Sequence, residues 1–108
     1  PAAALGADEL AAQADFFSIG TNDLTQYIMA ADRLNPRLIH LNRADHPAVM
    51  KAVDLICQAA KRGGIWVGIC GEAAAREDLI PEFIRMGVTE LSMSPASIPR
   101  AKKRIIEL

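Results

Sequence analysis

The sequence predicts an α/β fold built on a parallel sheet of three strands. Three short apolar segments, each followed by small or polar residues, are separated by segments with helical periodicity. Strands that alternate with helices at this spacing need crossover connections, which make neighbouring strands parallel. The chain of 108 residues has the length of one small domain, and its hydrophobic fraction of 51% supplies a core.

The predicted elements alternate along the whole chain. Helices are expected over 2–13, 23–31, 47–63, 78–86 and 99–108, and strands over 16–19, 65–70 and 90–93. Segment 72–75 is ambiguous between helix and turn. Three strands do not close a barrel, and they leave two sheet edges unpaired.

The first helix and strand are predicted from composition. Pro1 suits the first turn of a helix, where its missing N–H costs nothing, and an Ala-rich run follows. The strand 16–19 is apolar except for Ser18, as expected of a parallel strand that is covered on both faces. Thr21 or Asn22 is expected to cap the next helix.

The middle of the chain combines a long connection with a strongly periodic helix. Segment 32–45 contains several polar breaks, and connections of this length are often functional. Asp45 or His46 precedes Pro47, which suits a helix start, and Gly63-Gly64 ends the helix. Its apolar positions recur every 3.6 residues and are Val49, Ala52, Val53, Ile56, Cys57 and Ala60.

The last third repeats the strand-helix alternation. Strand 65–70 is largely apolar, and Trp66 is expected in the core. The buried face of the helix after it is predicted to hold Leu79, Ile80, Phe83 and Ile84. The last helix is predicted to turn Ile98, Ala101, Ile105 and Leu108 inward, with its basic residues outside.

Composition excludes several classes of partner. Twelve basic and thirteen acidic residues give a net charge of -1, so we expect neither nucleic acid nor an anionic membrane as partner. No apolar run reaches about 18 residues, so no membrane insertion is expected. Two cysteines do not make a disulfide framework, and the start has no basic signal-peptide region. Cys57 and Cys70 are therefore expected to be reduced thiols in a cytoplasmic protein.

The start of the chain leaves its origin open. It begins with Pro1 and has no Met before it. Removal of an initiator Met and derivation from a longer protein explain this equally well.

Two of the predicted strands end in residues that can perform chemistry. The first strand runs into Thr21-Asn22-Asp23, and the second ends at Cys70 before Gly71 and Glu72. The carboxyl ends of parallel strands lie at the same edge of a sheet, where α/β enzymes place their ligands. We therefore predict that Asn22, Asp23 and Cys70 face one pocket.

Several motifs of the chain together resemble one enzyme family. They are FFSIGTNDLTQY, the ADR at 31–33, HPAV, WVGICGE and ELSMS. The resemblance is to the C-terminal part of the phosphoenolpyruvate–protein phosphotransferases, enzyme I of the bacterial sugar phosphotransferase system. It implies that residues 1–108 form the C-terminal portion of a (β/α)₈ TIM barrel, which takes about 250 residues when complete. GTNDLTQ and the Cys-Gly-Glu turn are also similar to phosphoenolpyruvate synthase and pyruvate phosphate dikinase, which remain the alternative.

The resemblance implies roles for four residues. Asn22, Asp23 and Arg33 bind phosphoenolpyruvate, Asp23 is also a Mg²⁺ ligand, and the Cys70 thiol protonates the enolate carbon of pyruvate. Each has a simpler explanation: a helix cap for Asn22, an acid favoured at a helix N-terminus for Asp23, a surface position for Arg33 and a small buried side chain for Cys70. His46 is expected to be structural, and the roles of His40, Glu72 and the 92–97 segment stay open.

The resemblance also implies partners that lie outside this chain. The family transfers the phosphoryl group to its own histidine and then to a histidine phosphocarrier protein for sugar transport, and it forms a homodimer. A second acidic Mg²⁺ ligand, two arginines and the phosphorylated histidine all lie upstream in the family. The isolated chain is therefore expected to be inactive, and a non-catalytic fragment that associates through its open edges is the alternative.

Overall fold

The computed structural model describes residues 1–108 and contains one parallel sheet. Its strands are β1 (Phe16–Gly20), β2 (Trp66–Cys70) and β3 (Glu90–Leu91), in the spatial order β1-β2-β3. Phe16 pairs with Trp66 and Gly20 with Cys70, while Gly68 pairs with Glu90. The predicted α/β class with three parallel strands is confirmed, although β3 is shorter than predicted.

Helices connect and flank the strands. They are α1 (Ala2–Leu5), α2 (Ala7–Ala11), α3 (Thr21–Met29), α4 (Pro47–Gly63), α5 (Ile80–Met86) and α6 (Ile98–Ile106), with 3-10 turns at Pro36–Leu38, Glu72–Ala75 and Pro95–Ser97. The single helix predicted over 2–13 is wrong, because the chain breaks at Gly6 into two short helices. None of these helices combines the length and the apolar character needed to cross a membrane.

Strand β1 is covered on one face only, against the prediction of burial on both for this strand. Ile19, Val67 and Ile69 are buried in the core, whereas the alternate positions of β1 are exposed. Trp66, predicted in the core, is 44% exposed and stacks on Phe16 with ring centroids 4.5 Å apart. Side chains alternate between faces along a strand, and the buried strand residues form one core cluster with residues of α1, α3, α4 and α5.

Helix α4 supplies more of the core than any other helix. Val49, Val53, Cys57 and Ala60 are buried along the predicted stripe. Burial raises the pKa of the Cys57 thiol to about 11, as expected of a sulfur that packs as a small apolar group. The Nδ1 atom of His46 accepts a hydrogen bond from the Ala48 N–H at 3.1 Å, so His46 caps this helix.

The packing of α6 differs from the prediction. Ala101 is the buried residue of this helix, whereas Ile98, Ile105 and Leu108 are exposed. On α5, Phe83 is fully buried but Ile84 is 39% exposed. Periodicity identifies the apolar faces of these helices correctly, but within this chain they border an open groove of about 420 Å³.

Candidate functional site

The ends of β1 and β2 meet through side-chain contacts. Gly20 and Cys70 are register partners, and the Thr21 hydroxyl donates a hydrogen bond of 3.0 Å to the Cys70 carbonyl. One residue further on, the Glu72 N–H donates to the Asn22 Oδ1 atom at 3.2 Å. The first turn of the helix that follows β1 is therefore bonded to the end of β2 and to the segment just after it.

These contacts overturn the predicted helix caps. Helix α3 begins at Thr21, its cap residue is Gly20, and it has no side-chain cap hydrogen bond. Thr21 and Asn22 instead bond to the end of β2. The side-chain oxygen of Asn22 accepts one of these hydrogen bonds, and its side-chain NH₂ group remains available to donate to a ligand.

Gly71 makes this close approach possible. Its φ of +101° lies in the region that glycine tolerates. A Cβ atom at this position would lie 2.6 Å from the Thr21 Oγ1 atom and 3.2 Å from the Asn22 Oδ1 atom. The glycine of the Cys-Gly-Glu turn is therefore a requirement of the loop contact.

Arg33 and Asn22 line the same cavity. This space of about 490 Å³ is also bordered by Asn42 and Glu72. The backbone N–H of Arg33 donates to the Gln26 Oε1 atom at 3.0 Å, and this bond holds the start of the 32–45 connection against α3. A guanidinium and an amide on one cavity provide donors for an anionic ligand.

Asp23 lies on a different cavity from Asn22. It is exposed in the first turn of α3 and borders a mostly apolar space of about 250 Å³ beside α1 and β1. Consecutive positions on a helix point about 100° apart, so Asn22 and Asp23 diverge once the helix begins at Thr21. Within this chain Asn22 and Asp23 border different cavities and Cys70 lines neither of them, so the prediction of one pocket for these three residues is not met.

The chain by itself offers no complete metal site. No group of three or more His, Cys, Asp or Glu side chains is close enough together to hold an ion. The Asp23 carboxylate is exposed and forms no ion pair, so it fits the role of one oxygen ligand. Mg²⁺ commonly takes one or two carboxylates, with waters and substrate oxygens for the rest.

The Cys70 thiol lies beside β1 at the end of β2. It is half-buried and not disulfide-bonded. The thiol donates to the Ile19 carbonyl at 3.6 Å, and the Ser18 hydroxyl donates to the sulfur at 3.9 Å. Its surroundings are polar, unlike the apolar surroundings of Cys57.

Sequence reasoning missed an ion-pair network behind the site. Asp45 accepts hydrogen bonds from Arg43 at 3.0 Å and from Arg76 at 3.1 Å, and Arg76 also pairs with Asp78. The network joins the 32–45 connection to the segment after Cys70. Its hydrogen bond from Arg43, followed by that from Arg76, holds the pKa of Asp45 below its ordinary value. Sequence gives no signal for this pairing, because Asp45 and Arg76 are 31 positions apart.

The network borders a small polar cavity. This space of about 190 Å³ is lined by Asn22, Asp45, Arg76 and Thr25, among others. Thr25 is 2% exposed, and its Oγ1 atom has no hydrogen-bond partner. An unpaired buried hydroxyl beside a polar cavity is a common position for an ordered water.

Replacing Asp45 with Asn is expected to remove a pH-dependent part of the stability. The folded pKa of Asp45 is lowered, so its pairing stabilises the chain fully above the unfolded value of about 3.9 and is lost as the pH falls through the folded pKa. The melting temperatures of the wild type and Asp45→Asn should differ most near neutral pH and converge below about pH 4. Asp15→Asn, which removes an exposed carboxylate outside any ion pair, is the control and should give no such convergence. A constant difference between wild type and Asp45→Asn from pH 3 to 7 would contradict the assignment.

Comparisons with known proteins match the whole chain. Residues 1–108 match the family described as PEP-utilising enzyme, PEP-binding domain. The chain is 47% identical over 108 residues to the phosphoenolpyruvate-protein phosphotransferase of Bacillus subtilis (strain 168). It is 48% identical over 107 residues to the protein of that name from Haloferax volcanii and 44% identical over 108 residues to that from Streptococcus equinus.

The match covers only a small part of each relative. All 108 residues align with the Bacillus and Streptococcus proteins, and 99% of the chain aligns with the Haloferax protein. The chain spans 19% of the length of each of these relatives. Three parallel strands with flanking helices are consistent with part of a PEP-binding barrel. The chain therefore belongs to the family of PEP-utilising enzymes and matches their PEP-binding domain.

Proposed function

We propose that this chain supplies one part of the phosphoenolpyruvate site of a phosphoenolpyruvate–protein phosphotransferase. The observation that carries the proposal is the bonded meeting of the β1 and β2 ends, where Thr21 contacts the Cys70 carbonyl and Asn22 contacts Glu72. This contact supports the proposal because Cys70, Asn22 and Asp23 lie at, or just beyond, the carboxyl ends of two paired strands. Barrel enzymes assemble their active sites at those strand ends.

Arg33 and Asn22 are the proposed substrate-binding donors. They border one cavity. The side-chain oxygen of Asn22 accepts a hydrogen bond from the Glu72 N–H, while its side-chain nitrogen can donate to a ligand. Phosphoenolpyruvate carries a carboxylate and a phosphate, both of which accept hydrogen bonds from guanidinium and amide groups. A guanidinium can bind such groups through two parallel hydrogen bonds, which fixes their orientation.

Asp23 is the proposed ligand of a Mg²⁺ ion. Its exposed carboxylate is one suitable ligand, and the proposal assigns the other ligands to residues outside this chain, to waters and to the substrate. When bound, Mg²⁺ would neutralise negative charge on the substrate oxygens. We also propose that Asp23 contributes to substrate binding through this ion, since its carboxylate borders a different cavity from Asn22 and Arg33.

Cys70 is the proposed proton donor. Transfer of the phosphoryl group to a histidine breaks the bond between phosphorus and the enol oxygen and leaves the enolate of pyruvate. The thiol proton then moves to the methylene carbon of the enolate, which gives pyruvate and a thiolate. Solvent returns a proton to the sulfur and completes the cycle.

The remaining parts of the reaction are assigned to the longer protein. Its relatives carry the name phosphoenolpyruvate-protein phosphotransferase. By that likeness the acceptor is a histidine of the same enzyme, and the next acceptor is a histidine phosphocarrier protein of the sugar phosphotransferase system. We propose that the full enzyme acts as a homodimer in the cytoplasm.

The function is tested by mixing the full-length protein with phosphoenolpyruvate and Mg²⁺, without any nucleotide. Pyruvate should form in an amount equal to the enzyme sites, and should continue to form once a histidine phosphocarrier protein is added. The 108-residue chain should give no steady pyruvate under either condition, since it holds only part of the ligand set. A strict requirement for a nucleotide would favour the dikinase alternative, and steady pyruvate from the isolated chain would contradict the partial-site proposal.

A further inference from the structure

Ser18 and Cys70 lie on the same open face of the sheet. Ser18 pairs with Gly68 and Gly20 with Cys70, so Ser18 is the diagonal neighbour of Cys70 across the β1–β2 pair. Side chains two residues apart on a strand share a face, and diagonal neighbours are within reach of each other. Ile19, between Ser18 and Gly20, faces the core and is 4% exposed.

Two polar groups of β1 contact the Cys70 sulfur. The Ser18 hydroxyl donates to it at 3.9 Å, and the thiol itself donates to the Ile19 carbonyl at 3.6 Å. In the contact with Ile19 the thiol is the donor, whereas in the contact with Ser18 the sulfur is the acceptor. The two contacts respond in opposite ways when the thiol loses its proton.

Loss of the thiol proton changes which contact is favourable. The Ile19 carbonyl becomes an oxygen dipole facing a negative sulfur, so that contact turns unfavourable. The Ser18 hydroxyl becomes the donor of a charge-assisted hydrogen bond, which is shorter and roughly twice as strong as a neutral one. An interaction that strengthens as the reaction proceeds is the kind that raises kcat.

We propose that Ser18 is a positioning residue that orients the Cys70 thiol and stabilises the thiolate left when Cys70 gives its proton to the enolate. The proposal rests on the proton-donor role given to Cys70 above. The proton travels from the sulfur to the methylene carbon, the S–H electron pair stays on sulfur, and the Ser18 O–H bond remains intact. Solvent supplies the proton that restores the thiol.

The first test measures thiol reactivity and does not depend on catalysis. Cys70 is alkylated with isotopically labelled iodoacetamide at pH 8, and mass spectrometry follows the rate. This rate depends on the fraction of Cys70 present as thiolate. Ser18→Thr keeps a hydroxyl, whereas Ser18→Val has the same shape without one. We expect Ser18→Val to slow alkylation about 3- to 10-fold relative to Ser18→Thr, which is within the range for loss of one typical intramolecular hydrogen bond. Equal rates in the two variants would overturn the proposal.

Cys57 provides an internal check on folding in the same experiment. It is buried, and its raised pKa of about 11 keeps it largely unreactive while the chain is folded. Rapid alkylation of Cys57 in a variant would reveal unfolding, and Ser18→Ala then replaces Ser18→Val in the comparison.

The second test measures the reaction in the full-length enzyme. Ser18→Val should lower kcat about 3- to 10-fold, leave the KM for phosphoenolpyruvate nearly unchanged and be rescued by Ser18→Thr. Slower alkylation with an unchanged kcat would overturn the catalytic part of the proposal. If Cys70→Ala leaves turnover intact, the proton-donor role itself fails, and the alkylation result still decides whether Ser18 contacts the thiolate.

Discussion

Replacing Cys70 with Ala is expected to slow pyruvate formation by the full-length enzyme about 10²- to 10⁴-fold, the usual contribution of a positioned general acid. The methyl group has no proton to give, so the enolate must be protonated by solvent. Substrate binding should change little, because the proposed binding donors are Asn22 and Arg33 and the thiol is not one of them. Turnover and phosphoenolpyruvate affinity, measured on the same preparation, separate these two effects.

Cys57→Ala is the matched control for this variant. It removes the other thiol, which lies in the core on α4 and contacts no part of the candidate site. The control should lower stability by the loss of buried packing and leave turnover unchanged. Equal turnover in Cys70→Ala and wild type would remove Cys70 from the proposed mechanism.

Gly71→Ala is expected to damage both stability and substrate binding. The added Cβ would lie 2.6 Å from the Thr21 Oγ1 atom, and the φ of +101° is unfavourable for alanine. The backbone strain alone costs about 1–3 kcal/mol. Relief of the clash must push Thr21 and Asn22 away from β2, which opens the bonded meeting of the two strand ends.

Gly87→Ala separates the backbone strain from the clash. Gly87 has a φ of +104°, close to that of Gly71, but no atom lies within 4 Å of the Cβ position. In chemical denaturation, the free energy of unfolding of both variants should be lower than that of the wild type by the strain energy. Only Gly71→Ala should also raise the KM for phosphoenolpyruvate, by about tenfold for the loss of one well-placed donor. An unchanged KM in Gly71→Ala would show that the loop contact does not shape the substrate site.

Sequence patterns predicted those parts of the fold that depend on residues close together in the chain. The stripe on α4 was predictable because Val49, Val53 and Ala60 recur with the helical period and are buried. The parallel sheet followed from the spacing of apolar segments. The helix start at His46-Pro47 followed from a cap residue before a proline, although Asp45 was an equal candidate.

The failures arise where distant residues override local preference. Thr21 and Asn22 are good capping residues by type, but their side chains bond to residues 49 and 50 positions away. Helix α3 consequently begins before Asp23, and this start turns Asn22 and Asp23 toward different cavities. No local pattern distinguishes a cap from such a long-range partner.

Exposure of apolar side chains also escaped prediction. Trp66 and Ile105 are apolar residues on predicted strand and helix faces, yet they are 44% and 42% exposed. Periodicity specifies which residues share a face and does not specify whether another element covers it. The chain spans 19% of the length of the Bacillus subtilis relative that it matches.

The most direct measurement is a crystal structure of the full-length enzyme with phosphoenolpyruvate and Mg²⁺ bound. The account predicts the Cys70 sulfur within about 4 Å of the methylene carbon. From this distance a small shift of the thiol allows proton transfer to the carbon. It also predicts the Asn22 amide nitrogen and Arg33 on the ligand oxygens, with the Asp23 carboxylate on the metal. A substrate bound elsewhere, or a Cys70 sulfur directed away from the methylene carbon, would contradict it.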